Sequence, residues 1–461
     1  MLQSSYNPIF EPCFSSSEIG IIVVAIVSLG SEKTKGKVVT RKEEKKGLRL
    51  MLRALSSRNY RLFFAGQGLS LIGTWITQVA TIWLVYRLTN SALLLGIVGF
   101  ASQIPSFLLT PITGVLADRW NRHHMLIVTQ ALAMVQSLTL AALALSEIIN
   151  IWHIIVLGVF QGVINAFDAP ARQALVPDLV ENKEDLGNAI ALNSSVFNGA
   201  RLVGPAIAGL LVATVGAGVC FLIDGVSYIA VIAALLAMKL RPTKSAAGAN
   251  QPLRWLKEGF TYAFGFPPIR AILLLLALVS LMGMPYTILV PVFAQDILHG
   301  GPNTFGFLMA ASGLGALMGG VYLSSRATVV GLGYIIVSSP AILGLGLIAF
   351  ALSRELWLSL IMMLVIGLGL ILQIASSNTV LQTIIEDEKR GRVMSLYTMS
   401  FLGMVPFGNL IAGSLAERIG VPTTLILGGV FCILGSLLFS RQLPALRKLV
   451  LPIYRRAGII S

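Results

Sequence analysis

Apolar residues run along this chain in long blocks separated by only a few polar positions, and the block length rather than any fine periodicity sets the first prediction. About 20 apolar residues carry a helix across the hydrocarbon core of a bilayer. Blocks of that size lie near 62–86, 92–116, 124–146, 151–171, 189–214 and 218–238. Six more lie near 270–294, 304–325, 331–352, 356–378, 392–416 and 421–440. The alternating segments of about 10 residues that mark a transmembrane barrel are missing. The reading is an all-α membrane protein of twelve transmembrane helices.

Composition agrees, with 56% hydrophobic and 12% charged residues in 461, where soluble chains carry roughly 25% charged residues. The charge that remains is sorted. Of 34 Lys and Arg, thirty fall in the N-terminal stretch, the even-numbered loops and the C-terminal tail. Arg87, Arg354 and Arg418 alone lie in the odd-numbered loops, and Arg201 lies within a span. The positive-inside rule then puts both termini in the cytoplasm of a plasma or inner membrane. The net charge of +14 reads as topology and as contact with anionic headgroups on the cytoplasmic side, and not as nucleic-acid binding.

An internal repeat divides the chain. An offset of 204 residues aligns Leu192 with Leu396, Phe197 with Phe401, Gly199 with Gly403, Ala208 with Ala412, Gly209 with Gly413 and Gly216 with Gly420. Spans five and six thus echo eleven and twelve, as in transporters built from two similar halves around a midplane site. The predicted organisation is an extension over 1–48, a six-helix bundle over 49–238, a cytoplasmic linker over 239–268, a second bundle over 269–441 and a cytoplasmic tail over 442–461. Within the linker, Arg254 to Phe264 can form an amphipathic helix on the membrane surface. The run at 19–30 is too short to span and lacks the preceding basic residues of a secretory signal, so the extension is expected to be dispensable or disordered, with a short interfacial anchor as the alternative.

Catalytic and metal chemistry find no support. Cys13, Cys220 and Cys432 imply no disulfide or metal framework. His123, His124, His153 and His299 sit at predicted helix ends without ligand spacing. The segment from Gly30 to Val38 has one residue too many for a phosphate loop and lacks its hydroxyl. No cofactor and no metal are expected, and an enzyme is the weakest reading.

The sharpest motif follows span two: Gly114-Val115-Leu116-Ala117-Asp118-Arg119-Trp120-Asn121-Arg122-His123-His124. Gly114 permits close packing, Asp118 can cap a helix or pair with an arginine, and Arg119 and Arg122 hold the loop inside by charge. The segment resembles the loop signature of the major facilitator superfamily, and that resemblance implies a fold of two pseudo-symmetric six-helix bundles. A second element, Gly199-Ala200-Arg201-Leu202-Val203-Gly204-Pro205-Ala206-Ile207-Ala208-Gly209, is similar to the Gly-Pro motif of the exporting, antiporter branches. Simple packing of a kinked helix also accounts for Gly204, Pro205 and Gly209. With Asp168 to Arg172 in span four and Phe221 to Tyr228 in span six, the first half resembles the enterobactin-exporter-like, transmembrane secretion effector branch. The resemblance implies efflux of a small amphiphile, siderophore or drug, driven by protons.

Intramembrane charge points to mechanism independently, because ionisable groups at bilayer depth cost about 3 kcal/mol or more. Arg201 and Asp224 lie 12 and 14 residues from the inner ends of their spans, a depth difference of about 3 Å. They are expected to pair, either as a permanent lock or as a proton-coupling site. Asp118, Arg119, Arg122, Asp168 and Arg172 are expected to form a cytoplasmic gate, with ordinary topology charge as the alternative. Gln67, Trp75, Gln78, Gln161, Asn165, Asn378 and Asn409 are candidate substrate contacts or interhelical hydrogen bonds. The expected partners are a small-molecule substrate, protons and the bilayer, for a monomeric exporter. A nutrient importer of the same fold and a non-transporting receptor or scaffold remain open.

Overall fold

The computed structural model describes residues 52–239, 252–326, 328–456 and 459. The apolar run at 19–30 and the linker segment 240–251 lie outside them. Spans one to four are α1 (Arg58–Thr89), α2 (Ala92–Arg119), α3 (Arg122–Leu145) and α4 (Ile151–Leu179). Spans five and six are the two arms of α5 (Leu186–Ala237). The surface helix α6 (Pro252–Gly265) follows, at the place the amphipathic pattern indicated. Span seven is split into α7 (Pro267–Met282) and α8 (Tyr286–Val292), and spans eight to ten are α9 (Pro302–Ser324), α10 (Leu332–Leu352) and α11 (Leu356–Ile384). Span eleven is split into α12 (Asp387–Phe401) and α13 (Val405–Ile419), and span twelve is α14 (Val421–Arg456). Among the described residues, eleven apolar segments are long enough to cross a membrane, and the 52-residue α5 holds two crossings. Twelve spans result.

Local chemistry explains the interruptions. Gly216 stands between the arms of α5 with φ 82° and ψ 168°, a region open essentially to glycine alone. Gly420, its repeat mate, separates spans eleven and twelve with φ 82° and ψ 155°, so the repeat extends to backbone conformation. Spans seven and eleven break before Pro285 and Pro406, where the ring has no N–H to continue the ladder. Pro205, by contrast, leaves helical dihedrals intact, and the non-helical residue inside α5 is Gly216. Span twelve also exceeds its expected end near 440: the helix continues to Arg456 through part of the expected tail. Leu446 is buried there and Arg447 reaches the Tyr334 hydroxyl at 3.1 Å.

Small residues let the helices of each half approach closely, as expected where lipid gives no hydrophobic drive between spans. In the first half Gly73 of span one lies against Asp224 and Ser227 of span six, and Gly162 of span four against Ser102 and Pro105 of span two. In the second half Gly315 and Gly367 bring spans eight and ten together, and Gly344 and Gly429 do the same for spans nine and twelve. The surface helix is pinned to span eleven by Glu258 and Arg392, 2.9 Å apart, and by Lys389 above the Tyr262 ring at 4.4 Å.

Candidate functional site

Two glycine crossings join the halves. Spans five and eight meet at Gly209 and Gly306, where a methyl group on Gly209 would lie 2.9 Å from the Gly306 Cα. Spans two and eleven meet at Gly96 and Gly413, where a methyl group on Gly413 would lie 2.8 Å from the Gly96 Cα. All four glycines lie within the first or last turns of their spans at one end of the bundle, opposite the end that holds Arg58 and Arg456. We call these the far end and the terminal end.

Acids of the second half tie down the far end. Asp296, in the π-turn Phe293–Ile297 after α8, accepts a hydrogen bond from the Tyr86 hydroxyl at 2.5 Å. Glu417 of span eleven accepts from the Ser91 hydroxyl at 3.0 Å and from the Leu93 backbone N–H at 3.1 Å. It therefore caps span two from the opposite half, where the helix dipole favours a negative group. Trp83 stacks on Phe305 at 6.2 Å, and Phe407 meets Phe100 and Phe107 edge-on at 5.9 Å each. Toward mid-depth, the Leu202 Cα and the Arg201 carbonyl abut Gly313, and Phe107 abuts Gly403. The inter-half contacts named here all lie between the far end and that level.

The predicted cavity residues are distributed over spans one, four, ten and eleven. At about 100° per residue, Gln78 lies on the face of span one opposite Gly66 and Gly73, which pack on span six. It is exposed. Trp75 packs against Gly204 and meets Phe197 edge-on at 6.1 Å. Gln161 donates to Asn165 at 3.0 Å along one stripe of span four, and Asn165 is exposed. Gln67 is buried. Asn378 is buried and accepts from Gln382 of its own span at 3.1 Å. Asn409 lies in the glycine crossing, packed on Gly96 and Gly99, because the helix contact that admits glycine leaves its neighbour no open space.

The expected Arg201 and Asp224 pair does not form in this structure. Asp224 is 2% exposed and accepts from the Ser137 hydroxyl of span three at 3.0 Å, while its other oxygen and the nearby Thr77 hydroxyl have no hydrogen-bond partner among the described residues. Arg201 lies on another face of the first half, half-exposed and against span eight. Equal depth did not imply a shared azimuth. Tyr228 stands within electrostatic reach of both Asp224 and Arg172, so the buried acids of spans four and six belong to one polar interior.

Three of the expected gate residues, Asp168, Arg172 and Arg122, fall in two clusters inside the first half. Asp168 accepts from Arg172 one turn away, from the Thr129 hydroxyl at 3.0 Å and from the Gln130 amide at 2.7 Å. Arg122 donates to the Ala174 carbonyl at 2.9 Å and lies 3.6 Å from Asp178, tying the 2–3 loop to span four. Asp118, Arg119 and Gly114 lie in α2, and the side chains of Asp118 and Arg119 are outside the described ones. The helix after the loop is capped by Asn121, which accepts from the backbone N–H groups of His123 and His124 at 3.1 and 3.2 Å. Sequence reasoning missed that cap, the Tyr86, Ser91, Asp296 and Glu417 contacts and the Tyr286 hydroxyl, 2.7 Å from Ser312. The acids lie near span ends, where a carboxylate reads as ordinary loop charge. No cluster of His, Cys, Asp and Glu able to hold a metal occurs among the described residues.

Comparison with known proteins identifies the scaffold. The family model described as transmembrane secretion effector matches residues 51–450. The staphyloferrin A transporter of Staphylococcus aureus is 27% identical over 82% of this chain and 95% of its own. The multidrug efflux pump Tap of Mycolicibacterium fortuitum is 27% identical over 82% and 93%, and macrolide efflux protein A of Streptococcus pyogenes is 26% identical over 81% and 94%. Among solved structures, a bacterial homologue of the iron transporter ferroportin superposes with a TM-score of 0.65 at 17% identity, covering 84% of this chain and 98% of its own. That likeness establishes the fold. With twelve apolar spans in two halves joined by glycine crossings, the chain belongs to the transmembrane secretion effector family of the major facilitator superfamily and is a multi-pass membrane transporter.

Proposed function

We propose that the protein exports a small amphiphilic compound by alternating access in exchange for protons, with both termini on the cytoplasmic side of the plasma or inner membrane. The observation that carries the reading is the position of the inter-half contacts, which hold the far end shut down to mid-depth, with Asn165 exposed near that level. Thirty of 34 Lys and Arg fall in the N-terminal stretch, the even-numbered loops and the C-terminal tail, a bias that favours the terminal end as the cytoplasmic one and the closed far end as the outer one. The basic tail and surface helix then meet anionic headgroups. Relatives named for staphyloferrin A, multidrug and macrolide efflux support an amphiphilic substrate and an outward direction.

Coupling is assigned to Asp224, a buried carboxyl with a hydroxyl donor and no basic partner within salt-bridge distance among the described residues. It sits against Gly73 of span one, the span that also carries Trp75 against Gly204 of span five. Proton binding at Asp224 thereby changes the packing of a substrate-lining helix. The protein acts as a monomer, since one chain supplies both halves of the seam.

Proteoliposomes loaded with a lipophilic fluorescent drug and given an imposed proton gradient test the proposal. Extrusion against the drug gradient that collapses with an uncoupler is expected. Accumulation in the direction of the proton flow would establish import instead, and indifference to the gradient would remove the proton from the mechanism.

A further inference from the structure

Arg201 is a cation near the middle of its span, 15 residues from Leu186 and 15 from Gly216, or about 22 Å from either end. Charged groups at that depth face a protein interior or an aqueous cavity and find a counter-charge. Among the described residues Arg201 has neither an ion pair nor a side-chain hydrogen bond. The nearest acids in its half are engaged elsewhere, Asp224 with Ser137 on span three and Asp168 with Arg172, Thr129 and Gln130.

Its direction follows from its neighbours. Phe197 and Gly204 of the same helix face Trp75 of span one, while Leu202 and Gly209 face span eight. At about 100° per residue, Arg201 points between those two faces, into the seam. Its carbonyl touches Gly313, next to Ser312, which bonds the Tyr286 hydroxyl at 2.7 Å. Tyr286 is within electrostatic reach of Arg201. The inter-half contacts named above lie near this level or on its far-end side.

We infer that Arg201 is the anion-binding subsite of the transport cavity and takes the carboxylate of an amphiphilic substrate, whose apolar body lies along Trp75 and Phe197. A guanidinium presents two parallel N–H groups to a carboxylate, and the substrate completes a charge pair that the protein leaves open. The inference rests on the transport reading and adds a substrate class to it: organic acids over neutral or cationic amphiphiles of the same body.

The test is binding to the purified full-length protein, read by energy transfer from tryptophan to pyrene. Pyrenebutyrate is expected to bind about tenfold tighter than its methyl ester, and Arg201→Gln to bring the two within twofold while leaving ester affinity unchanged. Arg201→Lys should keep part of the preference, and Arg201→Glu should shift it to pyrenemethylammonium, a reversal that a structural arginine would not give. Equal wild-type affinities, or a preference that survives Arg201→Gln, would overturn the assignment. Extrusion of the neutral ester from proteoliposomes reports on transport separately: its absence would count against the transport reading and leave the binding result to stand or fall alone.

Discussion

The crossing of spans five and eight and the crossing of spans two and eleven share a geometry and differ in chemistry. Each is a pair of glycines at the far end, and the repeat equates Gly209 with Gly413 and Gly216 with Gly420, including their backbone angles. At the same 204-residue offset, however, Arg201 corresponds to Val405, Asp224 to Gly428 and Pro205 to Asn409. The first half holds the intramembrane charges and the second holds their apolar counterparts. Conversely, the acid that caps a helix across the seam, Glu417, corresponds to Ala213. A duplicated scaffold thus carries intramembrane charge on one side and the far-end helix cap on the other.

The largest effect is expected where the asymmetry is greatest. Asp224→Asn should lower proton-driven extrusion about a hundredfold, a loss of about 2.7 kcal/mol in transition-state terms, with substrate binding retained; transport and binding assays on the same preparation check this. Full coupled export by the variant would remove Asp224 from the mechanism. Next come the crossings. Leucine at Gly209 or at Gly413 forces a side chain against backbone, and overpacking of this kind costs about 1–3 kcal/mol. Both variants should hold the far end apart and cut turnover about tenfold, and a difference between them in far-end crosslinking would show that the two crossings are mechanically unequal.

Gly216→Ala and Gly420→Ala place a side chain where the backbone excludes it, at about 1–3 kcal/mol each. Equal losses of thermal stability are expected from the pair, because the repeat preserves the angle; a large inequality would break the equivalence. The smallest change is Glu417→Gln, which keeps the acceptor but removes the charge at the N-terminus of span two. A loss of about 1 kcal/mol should move the population roughly fivefold toward the far-open state, measurable by cysteine accessibility at the far end.

Spans and repeat were legible because bilayer thickness constrains block length and because matched glycines recur at one offset, Gly216 and Gly420 down to their backbone angles. Gln78, Trp75, Gln161 and Asn165 fall on spans one and four, as the choice of spans implied. The Arg201 and Asp224 pairing failed for a definite reason. Depth can be counted along a helix, whereas azimuth depends on which neighbour each face meets, and Gly73 and Ser137 draw Asp224 toward spans one and three. For Asn409 the sequence left substrate contact and interhelical contact open, since a polar residue beside a crossing glycine looks the same in sequence as one facing a cavity; in the structure it packs against span two. The long twelfth helix was cut short because its apolar block ends near 440, while the packing of Leu446 and the bond from Arg447 to Tyr334 sustain it.

The central claim is that the halves rock about the seam, far end and terminal end opening in turn. Spin-label distances across both ends, between Leu88 and His299 at the far end and between Asn59 and Lys389 at the terminal end, measured in nanodiscs at two pH values, test it directly. The account predicts two populations at each end, with the short far-end distance accompanying the long terminal-end distance and the balance shifting with pH. Single, invariant distances, or ends that widen and narrow together, would contradict it.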